Sequence, residues 1–262
     1  MKEGLRHVRD TAVGDIGILG DFVREIGASL EAKLTPKRPD DFSSSDAEQM
    51  KKFGEMLTVA ADIAEKPVTK RKAKPVMQMK LSERVHSFIM QTAIPIKQQG
   101  FLAEMSLVYL VARLEGFLKD YIREMMLLRP QMLRSSASMT YEEMLSHRSI
   151  QALKESIAQR EVDALGYGSI DDFATFFQKK VNVDLSRYSQ WDAVREHVYR
   201  RNLIVHNGAK VNDLYRKKLK RDVSAQRAHT DMPYVTSAVD NMKGFVKHVH
   251  TVVSPKFGAH ET

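Results

Sequence analysis

Three polar residues within six positions carry the strongest chemical signal in the chain: Arg201, Asn202 and His206, in the segment R-E-H-V-Y-R-R-N-L-I-V-H-N-G over residues 195–208. An imidazole can take or give a proton near neutral pH. A guanidinium presents a planar fork of donors that matches a phosphate. On a helix Asn202 and His206, four apart, share a face, and Arg201 is one step round from Asn202. The spacing therefore predicts all three side chains together at a helix end, where Asn207-Gly208 turns the chain away. Leu203, Ile204 and Val205 are expected to anchor that turn in the core.

This set suits RNA cleavage without a metal. A base takes the proton of the 2′-hydroxyl, which attacks the adjacent phosphorus. An acid protonates the leaving 5′-oxygen, and a cation steadies the phosphoryl oxygens. One His206 per chain falls short of both acid and base, which makes pairing of two chains across a shared cleft attractive. The same residues also have a purely structural reading. Asn202 and His206 can cap the helix C-terminus, where a cation is favoured by about 0.3–1 kcal/mol, while Arg201 forms an ion pair.

The neighbours supply supporting roles. Glu196 lies four residues before Arg200 and suits an ion pair that orients it. His197 is a second acid/base candidate or a partly exposed bystander. Glu115 and Asp120, upstream, are carboxylates that can hold Arg200 or Arg201. Tyr199 and Tyr215 can stack on bases or simply pack. The net charge is +8, and residues 192–227 hold ten Lys/Arg against four Asp/Glu, a local net of +6. Such a cluster attracts polyanions by charge and counterion release. Arg200, Lys210, Arg216, Lys217, Lys218, Lys220 and Arg221 are thus the expected RNA contacts; a solvated helix face is the alternative.

The elements that must position these residues read as helices throughout. Residues 1–34 carry Leu5, Ile16, Leu19, Val23, Ile26 and Leu30 at helical steps, with Gly14, Gly17 and Gly20 allowing close packing against another helix. A Pro/Ser linker over 36–45 and a basic linker over 66–75 (Lys70, Arg71, Lys72, Lys74) flank a helix opened by a Ser45/Glu48 capping box. A helix begins near Ser82, and Pro95 is expected to break or kink it. Over 98–128, Leu107, Leu110, Val111, Leu114, Phe117, Leu118, Tyr121, Ile122 and Met125 form one stripe, predicting a central core helix. Capping signatures Thr140/Glu143, Ser169/Asp172 and Ser189/Asp192 open further helices, the first running to about Leu165 before Gly166. A basic helix over 212–223 and a last helix over 236–253, with Val239, Met242, Val246, Val249 and Val253 inward, complete the order.

Composition excludes several classes. There are no cysteines, so disulfides, thiol catalysis and Cys-based zinc sites are ruled out. A reducing cytoplasm is the expected setting. Nothing at the N-terminus reads as a signal peptide, and no apolar run approaches the roughly 20 residues of a membrane span. No Gly-rich phosphate loop, H-E-x-x-H pair or nucleophile elbow is present. No metal site or cofactor is expected.

The R-N-L-I-V-H-N-G run resembles the signature of the HEPN superfamily, an Arg, a polar residue and then a His four to six residues after the Arg. The preceding E-H-V-Y-R and the upstream Leu114-Glu115-Gly116-Phe117-Leu118 are similar too. The resemblance covers residues 98–253. It implies an all-α, up-down helical bundle over 79–262, with residues 1–78 as additional N-terminal helices and linkers. It implies a homodimer that brings two motifs together, and metal-independent endoribonuclease activity leaving a 2′,3′-cyclic phosphate. Arg201 and His206 would be the catalytic pair and Asn202 the polar residue; Arg200 also fits the spacing. Such proteins act as toxins or in antiphage defence, so an antitoxin or regulatory protein is a possible partner. The alternatives are a non-catalytic RNA- or nucleotide-binding bundle of this type, and a protein-interaction module.

Overall fold

The computed structural model describes residues 3–33, 43–65, 82–133, 139–166, 169–219 and 226–258. Most of both linkers, and Lys220 and Arg221 of the basic helix, lie outside the described residues. Among those described, every regular element is helical, and the one β-type pairing is an isolated bridge between Lys210 and Arg227. The helices are α1 (Glu3–Lys33), α2 (Ser44–Glu65), α3 (Glu83–Leu128), α4 (Tyr141–Leu145), α5 (Ile150–Gly166), α6 (Ile170–Val181), α7 (Trp191–Asn207), α8 (Asp213–Leu219) and α9 (Met232–Val253). They form two compact units, Met1–Arg24 with Ala103–Thr262, and Glu25–Leu102.

In the larger unit the predicted stripe of α3 is the core: its nine residues from Leu107 to Met125 are all buried. So is the predicted stripe of α9, joined by Val235 and Phe245. Tyr121 of α3 hydrogen-bonds His250 Nδ1 of α9 at 3.0 Å. Burial pushes the Tyr121 phenol up, so it keeps its proton and is the donor.

The first part of α1 packs in the same unit through Leu5, Ala12, Ile16 and Val23. Of its three spaced glycines only Gly20 permits a close approach. A Cβ there would lie 2.8 Å from Val239 Cγ1, whereas Gly14 has nothing within 4 Å. Gly14→Ala should therefore gain up to about 1 kcal/mol of helix propensity. Gly20→Ala should lose about 1–2 kcal/mol, because a stiff, buried β-branched side chain cannot yield. Urea denaturation of the two variants checks this; equal effects would mean that α1 does not seat on α9.

Several boundaries differ from expectation, each for a local reason. The box opening α2 is Ser43/Asp46, not Ser45/Glu48: Ser43 N donates to Asp46 Oδ2 at 3.0 Å and Asp46 N to Ser43 Oγ at 3.2 Å. In the smaller unit Asp46 also accepts from Ser82 Oγ at 2.6 Å, which fastens the start of α3. Bonds from Ser82 and Ser43 hold its carboxyl below the usual range. Pro95 does not end α3, which remains helical on both sides of it. One missing N–H is a local loss that the intact flanking turns absorb. The Thr140/Glu143 box forms as read, but its helix stops at Leu145 and a new one begins at Ile150. Ser149 is responsible, since its Oγ accepts from Ala152 N at 3.1 Å and restarts the helix. α9 begins earlier than expected because Asp231 caps it, accepting from Tyr234 N at 2.8 Å.

Candidate functional site

α7 carries the R-N-x-x-x-H run and lies wholly in the larger unit. It starts after Gln190 rather than at a Ser189 cap, with no side-chain capping bond. It ends as the sequence predicts. Gly208 adopts the left-handed conformation (φ 54°), which glycine adopts without a Cβ clash. Ala209 follows at φ 60°, its N–H donating to Leu203 O at 2.9 Å. Asn207 Nδ2 donates to Lys210 O at 2.6 Å, and Val211 N to Gln226 O at 2.9 Å, so the chain leaving the helix is tied down. Leu203 is buried and anchors this end; Ile204 is half-buried. Val205, in the last turn of the helix, is exposed, contrary to expectation.

Arg201, Asn202 and His206 line one cleft of about 480 Å³. Its other walls include Glu115 of α3, Ser169 before α6, Tyr199, and Asn212, Leu214 and Tyr215 at the start of α8. His206 is exposed. Arg201 is mostly buried, and its Nη2 donates to Glu115 Oε1. Its buried Nε has no partner among the described residues. Glu115 is thus the upstream carboxylate that holds an arginine of the motif, and Arg201 is the arginine it holds. Asp120 is exposed.

Arg200 is engaged elsewhere. Its Nε donates to Glu196 Oε1 at 2.7 Å, it also donates to His229 O, and its guanidinium lies 4.0 Å from the Tyr234 ring centroid. Glu196 orients it as expected, but does more. The same carboxylate accepts from Tyr215 OH at 2.5 Å and from Tyr234 OH. Burial alone would raise the Glu196 carboxyl. Hydrogen bonding from His197, the Arg200 charge and the two phenols outweigh it and hold it at about 2. His197 is neither an exposed bystander nor a cleft residue. It is buried, its Nδ1 facing Tyr234 OH and its Nε2 3.3 Å from Asn241 Nδ2. Tyr234 gives its own proton to Glu196, so Nδ1 is the donor to Tyr234 and Nε2 accepts from Asn241.

A second carboxylate, Asp171 of α6, fixes the other side. Arg195 grips it with two bonds, 2.7 and 3.2 Å, and Tyr199 OH donates to it at 2.8 Å. Arg195 also donates to Lys218 O at 2.9 Å, which secures α8. Tyr199 and Tyr215 are therefore buried, hydrogen-bonded walls whose faces are not free to stack. Of the expected RNA contacts, Lys210 and Lys217 are exposed, Lys218 Nζ lies 3.5 Å from Asp171, and Arg216 pairs with Asp213 at 3.1 Å.

Sequence patterns did not point to Asp171, Ser169, Asn212 or Leu214 as residues of the site or its support. Asn212 carried a signal: its Oδ1 accepts from Tyr215 N at 2.9 Å, an ordinary helix cap. Asp171 carried none, because its partners lie 24 or more residues away.

No protein-family model, no curated protein and no solved structure matches the chain. Among the described residues there is no group of three or more His, Asp or Glu placed to hold a metal ion. Nor, among them, is any helix long and apolar enough to cross a membrane.

Proposed function

We propose that this chain is a metal-independent endoribonuclease of the HEPN type. The observation that carries the reading is the meeting of Arg201, Asn202 and His206 in one open cleft, with the imidazole exposed. Arg201 holds the phosphoryl oxygens. His206 transfers a proton. Asn202 offers its amide to the ribose-phosphate. Lys210 and Lys217, both exposed, draw the strand in. A toxin or defence role, with a regulatory partner, accords with that reading.

The pairing of two chains has a fitting surface. In the larger unit Ile18 and Phe22 of α1, and Met105 and Tyr109 of α3, are large, apolar and exposed. The Asp15–Arg113 ion pair joins the same two helices. A second copy seated there would remove this strip from water.

The purified chain is expected to cut single-stranded RNA in excess EDTA and to leave a 2′,3′-cyclic phosphate. An all-deoxy strand, lacking the attacking hydroxyl, should be untouched. Product-end analysis by mass spectrometry checks both. Cleavage that requires a divalent ion, or that proceeds on the deoxy strand, would overturn the proposal. Sedimentation of the same preparation reports the pairing, and a monomer would remove it.

A further inference from the structure

We infer that Glu115 is the proton-accepting residue of the cleft, so that one chain supplies both the base and the acid of RNA cleavage. The inference rests on the nuclease reading and deepens it. Within a single chain, His206 leaves one of the two proton transfers without a group. Glu115 is an ionisable side chain on the wall of the same cleft, outside the R-N-x-x-x-H run. Its side chain is 30% exposed, so it is open to a ligand. One of its oxygens accepts from Arg201 Nη2.

That adjacency is what the chemistry asks for. During cyclisation the 2′-oxygen becomes a ligand of phosphorus, beside the two non-bridging oxygens. The group taking its proton must therefore stand next to the cation that holds those oxygens. Glu115 and Arg201 stand so. The acid must lie on the far side, in line with the departing 5′-oxygen. His206 lines the same cleft, five residues beyond Arg201 on α7.

The step balances. The Glu115 carboxylate takes the 2′-hydroxyl proton as the 2′-oxygen forms its bond to phosphorus. The bond from phosphorus to the 5′-oxygen breaks, and the protonated His206 ring gives that oxygen its proton. Exchange with water restores both groups.

The test uses the full chain and a fluorophore–quencher RNA oligonucleotide in EDTA, with kcat and KM followed against pH. Glu115→Gln can still accept from Arg201 but cannot take a proton. It should lower kcat by about 10²- to 10⁴-fold, with KM changed by less than about threefold. The limb on which activity rises with pH should vanish. Glu115→Asp should recover part of kcat and restore that limb. If Glu115 only positions Arg201, Glu115→Gln will keep kcat and the limb, and the inference is wrong while the nuclease reading stands. If the unmodified chain does not cut the oligonucleotide and no cleavage of mixed-sequence RNA occurs, both fall. Circular dichroism melting confirms that each variant is folded before the rates are compared.

Discussion

Glu196→Ala is expected to destabilise the larger unit by about 3–5 kcal/mol, since it leaves a buried charge without its counterion. The reason is the number of donors converging on one carboxylate. Arg200, Tyr215 and Tyr234 all donate to it, and His197 Nδ1 lies 3.5 Å from its Oε2. These residues belong to α7, α8 and α9, so a single side chain ties three helices. Alanine would strand a guanidinium and two phenols away from water, each a buried donor with nothing to accept it. The same carboxylate makes stability depend on pH. Its folded value, about 2, lies below the ordinary 4.5. The stabilisation is therefore complete above about pH 4.5 and is lost as the pH falls through the folded value, amounting to about 3 kcal/mol over that window. Urea denaturation at pH 7, 4 and 2.5 measures both effects. A loss below 1 kcal/mol at pH 7 on substitution would show that Arg200 and the phenols find other partners, and that the hub is not what ties the three helices.

This hub also shows where the sequence was readable and where it was not. The Glu196–Arg200 pair is an i,i+4 pattern and could be read from spacing alone. Tyr215 and Tyr234 are long-range partners, 19 and 38 residues away, and no local rule links them to Glu196. The stripes of α3 and α9 were legible because burial repeats with the helical period. The end of α7 was legible because Asn207-Gly208 is a stop with a physical cause. The cleft itself was legible only in part. Arg201, Asn202 and His206 were placed together by helical geometry. The choice between Arg200 and Arg201 was not, because one residue of rotation sends them to opposite networks, and which network waits on each side is set by α3 and α9. His197 was misplaced for the same reason: an imidazole on a polar-looking helix reads as exposed until a tyrosine and an asparagine from α9 enclose it. Val205 failed in the opposite sense, an apolar residue at a helix tip with nothing packed over it.

His206→Ala is the complementary experiment, a large effect on rate with almost none on the fold. The ring is exposed and lies in the last turn of α7. Removing it forfeits only the attraction between a cation and the helix C-terminus, at most about 1 kcal/mol. Cleavage should fall by about 10²- to 10⁴-fold, the usual contribution of one proton-transfer group. RNA affinity should persist, because Arg201, Lys210 and Lys217 remain and the salt dependence of binding counts cations rather than imidazoles. The prediction is therefore a split: kcat collapses, while the melting temperature and the slope of affinity against salt stay put. Arg201→Ala should differ, since it removes a phosphate contact and also strands the Glu115 carboxylate in the cleft wall. Single-turnover cleavage and filter binding at several salt concentrations separate the two. A His206→Ala protein that cuts RNA at the original rate would place the chemistry elsewhere and leave the cleft a binding site alone.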